Sequence, residues 1–219
     1  IGHLGNGPSG VTWLSGNTVP DDLENGFLVT NYRGAATSSN IIHVSLKSKS
    51  SSFEIDRSSV VVEGVAVCDV EHGYDGNLYL ADYGGGWSVN KNGTIQVMRP
   101  TDPKMQAIGK ETALAFKKGF SSRSLPELES LLSHDDQRVR LAAQHAIVEK
   151  GEPAIELLSG VLRSDDNKNH RKLHAVWAMG QLFGKGHESV ASDLLVCLSA
   201  GEVEIRANAA RTCGDIELA

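Results

Sequence analysis

Acidic and imidazole side chains concentrate in and just before the stretch HGYDGNLYLADYGGGW, residues 72–87. Asp69, His72, Asp75 and Asp82 are of types that could hold a divalent cation or act as a general base. Asp75 begins an Asp-Gly pair typical of a tight turn, and Asp82 ends a β-prone run, so backbone hydrogen bonding is the favoured role for both. No turn requires Asp69 or His72, and their catalytic and structural interpretations stay equally open. Asp69 and His72 are therefore candidate catalytic residues, and Asp69 and Asp82 are candidate metal ligands.

Three further side chains could contact a ligand through charge or an aromatic face. Arg33, in the run NYRG, is a third catalytic candidate because its guanidinium could reach a sugar or a cofactor carboxylate. An ion pair between neighbouring sheet segments is the favoured alternative for Arg33. Trp13 and Trp87 could stack on sugar rings, although packing between sheet segments is the commoner use of such residues. No cofactor-binding residue is identified from the sequence.

His170 and His174 have the i, i+4 spacing that places two imidazoles on one face of a helix. Zinc sites use this spacing but need further ligands, and HRKLH has no Glu at the position that HExxH requires. A loop-side histidine and a groove histidine are the favoured interpretation. The sequence contains no nucleophile elbow, Walker loop or Rossmann fingerprint, so no complete catalytic constellation is predicted.

Composition excludes several classes of function. The 219 residues carry a net charge of −6 without a Lys/Arg tract, which argues against a nucleic-acid partner. No apolar run approaches the roughly 20 residues of a membrane helix. The three cysteines, Cys68, Cys197 and Cys213, form neither CxxC nor CxxCH, and the last two are predicted core residues. The chain begins without Met or a visible signal peptide, and we expect a processed chain or a fragment.

The elements that position these residues change type along the chain. Residues 1–100 contain short β-prone runs divided by turn residues, about one strand in ten residues, which predicts an antiparallel sandwich, barrel or propeller. In the run NIIHVSLK, Ile42, Val44 and Leu46 alternate as on one face of a half-buried strand. Residues 108–219 instead predict about three helix pairs at repeat spacings of roughly 30 to 36 residues. The predicted fold is therefore α+β, an antiparallel β region followed by an α-α superhelix.

The second half resembles HEAT-type repeats, particularly the bacterial short form. DDQRVRLAAQHA and EVEIRANAARTCGDI share an acidic turn, an aliphatic–Arg step and Ala at helical spacing. The resemblance implies that Arg140 and Arg206 donate to carboxylates or carbonyls of the preceding turn. The middle repeat has Lys172 at this position and two additional residues, so we expect a longer loop there.

The first half resembles β-propeller blades of the glucose/sorbosone dehydrogenase and NHL-like kind, on the runs YDGNLYLAD and HLGNGPSGVTW…GFLVTNYRG. Blades of this kind followed by HEAT repeats resemble the large exported proteins of planctomycetes described as putative membrane-bound dehydrogenases. Because a blade needs about 40–45 residues, the first half is expected to form about two blades and no closed ring. The CxxCH haem domain of that family has no counterpart in this sequence.

The resemblance implies three functional hypotheses, in this order. The first is a fragment of an exported or periplasmic quinoprotein-like sugar or polyol dehydrogenase, inactive alone, whose HEAT segment is a spacer or docking surface. The second is a non-enzymatic protein-binding module that uses the HEAT surface. The third is a lactonase-like, metal-dependent propeller hydrolase. Pyrroloquinoline quinone, calcium and haem c are implied for the parent protein, and the expected partner is another protein or further domains of the same polypeptide. Substrate, electron acceptor and oligomeric state stay open.

Overall fold

The computed structural model describes residues 4–15, 18–50, 52–88, 91–164 and 169–218. Its fold is α+β, with two antiparallel sheets in the first part of the chain and α-helices in the second. The chain divides into two compact units, Ile1–Leu114 and Ala115–Ala219. We call them the β unit and the helical unit.

The first sheet is antiparallel, and its four strands lie side by side in chain order. The strands are β1 (Pro8–Trp13), β2 (Gly26–Asn31), β3 (Asn40–Lys49) and β4 (Ser52–Glu63). The register of β1 against β2 shifts between Pro8 and Gly10, as at a β-bulge. Thr30 lies at this bulge, where its hydroxyl accepts from the Gly10 amide at 2.7 Å and reaches the Cys68 carbonyl at 3.2 Å. The bulge therefore connects the first sheet to the first strand of the second.

The second sheet contains β5 (Val67–His72), β6 (Leu78–Asp82) and β7 (Thr94–Met98), again antiparallel and in chain order. Asp75-Gly76 forms the predicted tight turn between β5 and β6, with Gly76 at φ +78°. These strands coincide with the β-prone runs of the sequence, so the prediction of an antiparallel β region is confirmed. Among the described residues, the sheets do not close into a barrel.

Strand β3 has the predicted shared face of Ile42, Val44 and Leu46, but from Ile41 to Ser45 it is buried on both faces, where the prediction of a half-buried strand is wrong. Ile41 packs with Leu28, Val67 and Leu80 in the main core of the β unit. On the opposite face, Ile42 and Val44 join a second cluster. On this second face Leu4 and Ile55, from the neighbouring strand β4, pack against the cluster, and strand alternation alone does not reveal such contacts.

The described part of the chain contains seven α-helices. They are α1 (Pro103–Lys118), α2 (Leu125–Leu131), α3 (Gln137–Val148), α4 (Pro153–Arg163), α5 (Asn169–Gly184), α6 (Ala191–Cys197) and α7 (Val203–Asp215). The first helix begins ahead of Ile108, the predicted start of the helical part. The reason is local, because Asp102 accepts from the Lys104 amide at 2.7 Å and Pro103 suits a first helical position.

The described part of the helical unit contains three successive helix pairs, α2 with α3, α4 with α5 and α6 with α7. Each pair packs internally, and contacts also link α3 to α5 and α5 to α7, and α2 to α4 and α4 to α6. Pro126 lies in the first turn of α2, after a Ser124–Glu127 capping box, and Gly151 follows α3 at φ +67°. A continuous core runs through all three pairs, from Leu128 to Cys213. Two layers of helices therefore bury their apolar faces against their neighbours.

Within the described residues, no helix combines the length and apolar character needed to cross a membrane.

Candidate functional site

His72 is a buried side chain with both ring nitrogens in hydrogen bonds. The Ser15 amide donates to Nδ1 at 3.3 Å, which makes Nδ1 the acceptor. The other nitrogen, Nε2, then carries the proton and donates to the Thr18 hydroxyl at 2.9 Å. With 2% of its surface exposed, His72 ties Ser15 and Thr18 to the end of β5. These contacts correspond to the structural interpretation of His72.

Asp75 and Asp82 organise the turns in which they lie. Asp75 accepts from the Asn77 amide at 3.1 Å, the Asn77 side chain at 2.6 Å and the Tyr79 hydroxyl at 2.8 Å. Partial burial alone would raise the pKa of Asp75, but these hydrogen bonds outweigh it and lower the pKa. Asp82 accepts from the Gly84 amide at 2.8 Å and from Gln96 at 2.5 Å.

Asp69 and His72 point to opposite faces of β5, because they are three residues apart on a strand of period two. Asp69 is exposed and accepts from the Val70 amide at 2.9 Å. Asp82 pairs with Val67, at the end of the β5–β6 ladder opposite to His72. The three candidates are therefore held apart by the ladder, and they do not form one constellation.

Arg33 follows β2 and extends into solvent. Its amide donates to the Ser39 hydroxyl at 2.8 Å, which orients the backbone. Among the described residues, its guanidinium has no ion-pair partner. The sheet-to-sheet ion pair favoured for Arg33 is thus not formed within the described residues, and the guanidinium is available to a ligand.

An aromatic cluster lies next to Arg33. The indole of Trp87 contacts the Tyr32 ring edge-on at 5.2 Å, and Tyr32 contacts Tyr83 in the same manner at 5.8 Å. The Tyr32 hydroxyl donates to the Gly86 carbonyl, and the Gly86 amide donates to the Gly34 carbonyl at 2.6 Å. Although it is held in this way, Trp87 keeps 77% of its surface exposed. The cluster therefore presents a supported, open aromatic face beside a free guanidinium.

The sequence carried a partial signal for this cluster. The sequence offers Trp87 as an aromatic residue for stacking on a sugar or, more commonly, for packing between sheet segments, and it gives no comparable signal for Tyr32 and Tyr83. Both tyrosines adjoin glycine-containing loops, in NYRG and DYGGGW, where backbone can approach a ring closely. Trp13, the other predicted stacking residue, instead packs edge-on against Phe27 at 4.7 Å.

A buried chain of polar side chains links α3 and α5. The Arg140 Nε donates to His174 Nε2 at 3.4 Å, and His174 Nδ1 donates to Gln144 at 2.7 Å. Gln144 in turn donates to Gln181 at 3.1 Å. Burial, together with the positive charge of Arg140, lowers the pKa of His174 to about 4. His174 is therefore a neutral link in this chain, and the predicted groove histidine is found there, while His170 is exposed.

The open side of the α3, α5 and α7 layer carries amide and aromatic side chains. The Trp177 indole donates to Asn208 of α7 at 3.2 Å, and Gln181 is exposed. A cavity of about 340 Å³ on this side is lined by His145 and Gln181, among others. The buried hydrogen-bond network holds the Gln181 side chain through Gln144, so this polar surface is pre-organised.

Ion pairs fasten neighbouring helix pairs to each other. Arg171 of α5 pairs with Glu129 of α2, and Lys172 of α5 pairs with Glu202 at 3.1 Å. Cys197 of α6, beside the Lys172–Glu202 ion pair, is buried. Burial and the nearby Asp193 raise the pKa of its thiol to about 11. Cys197 therefore remains a neutral thiol and acts as a core residue.

Among the described residues, no group of three or more His, Cys, Asp or Glu side chains is placed to hold a metal ion. Comparisons with known proteins give no match: no family model matches the sequence, no curated protein matches it, and no solved structure matches it.

Proposed function

We propose that this chain works as a non-catalytic binding module, in which the helical unit docks an extended polypeptide segment. The observation that carries the proposal is the open side of the α3, α5 and α7 layer. There Gln181, Trp177 and Asn208 form a line of polar and aromatic side chains that hydrogen bonds hold in place. In this proposal the helix pairs are HEAT-type repeats.

The docking surface suits a polypeptide because amide side chains both donate and accept hydrogen bonds, as a peptide backbone does. Gln181 accepts from Gln144 through its oxygen, and its NH2 group has no partner among the described residues. Trp177 offers half-buried aromatic area of the kind that dominates binding hot spots. Leu141, 42% exposed on α3, adds an apolar contact.

The HEAT assignment is supported by two arginines in equivalent positions. Arg140 donates to the carbonyls of His134 and Asp135 at 2.6 and 2.8 Å. Arg206 makes the same two contacts, with Ala200 and Gly201, both at 2.7 Å. In both places the guanidinium ties the turn between two helices to the second helix, which is the contact that the resemblance to HEAT-type repeats implies.

The binding experiment is a selection of peptides from a random display library against the full chain, followed by titration of the selected peptides. We expect saturable binding that weakens at least tenfold in Gln181→Ala and in Trp177→Ala. Arg211→Ala, an exposed change on α7, is the matched control and should leave the affinity unchanged. The docking proposal fails if no peptide binds saturably, or if both groove variants bind as the parent chain does.

A second candidate is a segment of an exported quinoprotein-like dehydrogenase. It is favoured by the arrangement of the β unit, where two antiparallel sheets follow each other in chain order and their first strands, β1 and β5, are in contact. Successive propeller blades are arranged in this way. Trp87 and Arg33 would then face a sugar or polyol, while the helical unit would be the spacer or docking surface.

This second candidate has its own test. The intact mass and terminal sequences of the native protein should reveal a longer polypeptide, with further blades before Ile1 and a CxxCH motif after Ala219. The 219-residue chain on its own should reduce no dye when supplied with pyrroloquinoline quinone, calcium and aldose sugars. Dye reduction by this chain alone would contradict the inactive-segment proposal, and a native chain limited to these residues would end the dehydrogenase interpretation.

A further inference from the structure

A cavity of about 320 Å³ lies in the β unit, away from the aromatic cluster. Its apolar walls come from the 18–23 loop, the end of the β6–β7 pair and the start of α1. These walls include Val19, Leu23, Leu78, Met98 and Met105. The volume is at the lower end of the range of small-molecule sites, about 300–1,000 Å³.

The cavity is built by close backbone packing. Gly109 of α1 lies against the Asp75-Gly76 turn, and a Cβ at Gly109 would overlap the Asp75 carbonyl. The same turn touches Thr18, whose hydroxyl bonds to His72. Helix, loop and hairpin are thus fixed relative to one another around the cavity by contacts within the β unit.

A second cavity of about 340 Å³ shares Arg99 and Pro100 with the first, and its other lining residues are Asp75, Asn77, Gln106 and Lys110. Its walls carry two cations, Arg99 and Lys110, which have no ion-pair partner among the described residues. The carboxylate of Asp75 also lines this cavity, and it already accepts hydrogen bonds from Asn77 and Tyr79. The apolar cavity and the site with unpaired positive charge are therefore neighbours, and Arg99 lines both.

We propose that these two adjacent cavities bind an amphipathic monoanion, a medium-chain carboxylate whose alkyl chain enters the apolar cavity and whose carboxylate lies between Arg99 and Lys110. Methionine suits such a site because its flexible thioether adapts to irregular alkyl chains. An anionic head group suits the two exposed cations, because a neutral ligand would gain no charge attraction from them. Neither the docking proposal nor the dehydrogenase proposal depends on this site.

The test is calorimetric titration of the full chain with octanoate, with octanol as the neutral probe of equal chain length. We expect saturable one-to-one binding of octanoate, tighter than that of octanol, and weakening as ionic strength rises. Arg99→Ala with Lys110→Ala should weaken octanoate binding about five- to tenfold and leave octanol unchanged. Lys104→Ala with Lys117→Ala, which removes two charges from α1 outside the cavity walls, is the matched control and should change neither.

Filling the apolar cavity separates the two parts of the site. Met105→Trp should abolish binding of both probes, while circular dichroism and thermal unfolding show that the variant is folded. The proposal is overturned if octanoate does not bind saturably, or if it binds equally well to the Arg99/Lys110 and Lys104/Lys117 double variants. Octanoate binding that survives Met105→Trp would also overturn it, because the alkyl chain would then lie elsewhere.

Discussion

Trp87 owes its exposed position to the backbone beneath it. Gly34 has φ +82°, and a Cβ there would overlap the indole nitrogen of Trp87. The aromatic face that could receive a ligand therefore depends on a residue with no side chain.

Gly34→Ala is expected to destabilise the β unit and displace the indole. Gly64→Ala is the matched control, because Gly64 has a similar φ of +74° and no atom within 4 Å of a new Cβ. The control should cost about 1–2 kcal/mol of unfolding free energy for the left-handed backbone alone. Gly34→Ala should cost about 1–2 kcal/mol more, since crowding of the indole is added to this strain. Urea unfolding and tryptophan emission measure both effects, and equal losses in the two variants would disprove the packing role.

His174 makes the stability of the helical unit depend on pH. Its pKa falls from 6.5 to about 4 in the folded chain, so the unfolded chain binds the proton more readily. Above about pH 6.5 His174 is neutral in both states and does not lower the free energy of unfolding. As the pH falls towards 4, protonation of His174 in the unfolded chain lowers the free energy of unfolding by about 3 kcal/mol. Arg140 and His145 of α3 and His170 of α5 are the charged or titratable groups acting on it.

Urea unfolding of the full chain between pH 7 and pH 4 measures this slope. His174→Gln removes the titrating group and should flatten the slope, whatever its stability at neutral pH. His187→Gln changes a histidine outside the hydrogen-bond network that runs from Arg140 to Gln181. This variant should keep the pH dependence of the unfolding free energy of the parent chain. A His174→Gln variant as steeply acid-sensitive as the parent would show that other groups carry the effect.

At the scale of the element, the turns inside the first and third helix pairs each depend on one arginine, Arg140 and Arg206. The guanidinium of Arg140 is partly buried, which lowers its pKa, while Asp136 and Asp135 oppose that shift. The guanidinium stays charged, and its two hydrogen bonds to carbonyls satisfy groups that would otherwise be without a partner.

Arg140→Ala and Arg206→Ala are each expected to destabilise the helical unit by about 2–3 kcal/mol, because each loses two charge-assisted hydrogen bonds to backbone. Arg211→Ala, an exposed arginine on α7, should change the unfolding free energy by less than about 0.5 kcal/mol. Thermal unfolding with circular dichroism compares the three. If Arg206→Ala lowers the unfolding free energy no more than Arg211→Ala does, Arg206 does not stabilise its turn as Arg140 is expected to.

At the scale of the whole molecule, each unit has a core of its own. Leu28 lies in the core of the β unit and Leu158 in that of the helical unit, with 2% and 0% of their surfaces exposed. We therefore expect the units to respond separately to loss of core volume.

Leu158→Ala should lower protection from hydrogen exchange in peptides from 115–219 and leave those from 4–114 unchanged. Leu28→Ala should have the reverse pattern, and each change should cost about 2–5 kcal/mol in its own unit. Exchange measured by mass spectrometry reads both units in one experiment. Equal loss of protection in both units, for either variant, would contradict two separate cores.

Local signals in the sequence predicted the elements well. The Asp75-Gly76 turn, the strands around it and the helix ends at Pro126 and Gly151 follow from turn chemistry and capping, which involve residues close in the chain. The start of α1 was misplaced, although the cap at Asp102 and Pro103 was visible in the sequence. The burial of β3 on both faces was not predictable, because its cover comes from distant segments.

The sequence by itself determined the order of β-strands and helix pairs and the turn at Asp75, because neighbours along the chain decide these features. The contacts of Arg140 and Arg206 were implied by the resemblance of the second half to HEAT-type repeats. Only the tertiary structure decided which side chains meet. It exposed Trp87 and placed the two cavities of the β unit side by side at Arg99. His72 bonds to Thr18, a residue 54 positions away, and such contacts arise from packing that no local pattern encodes.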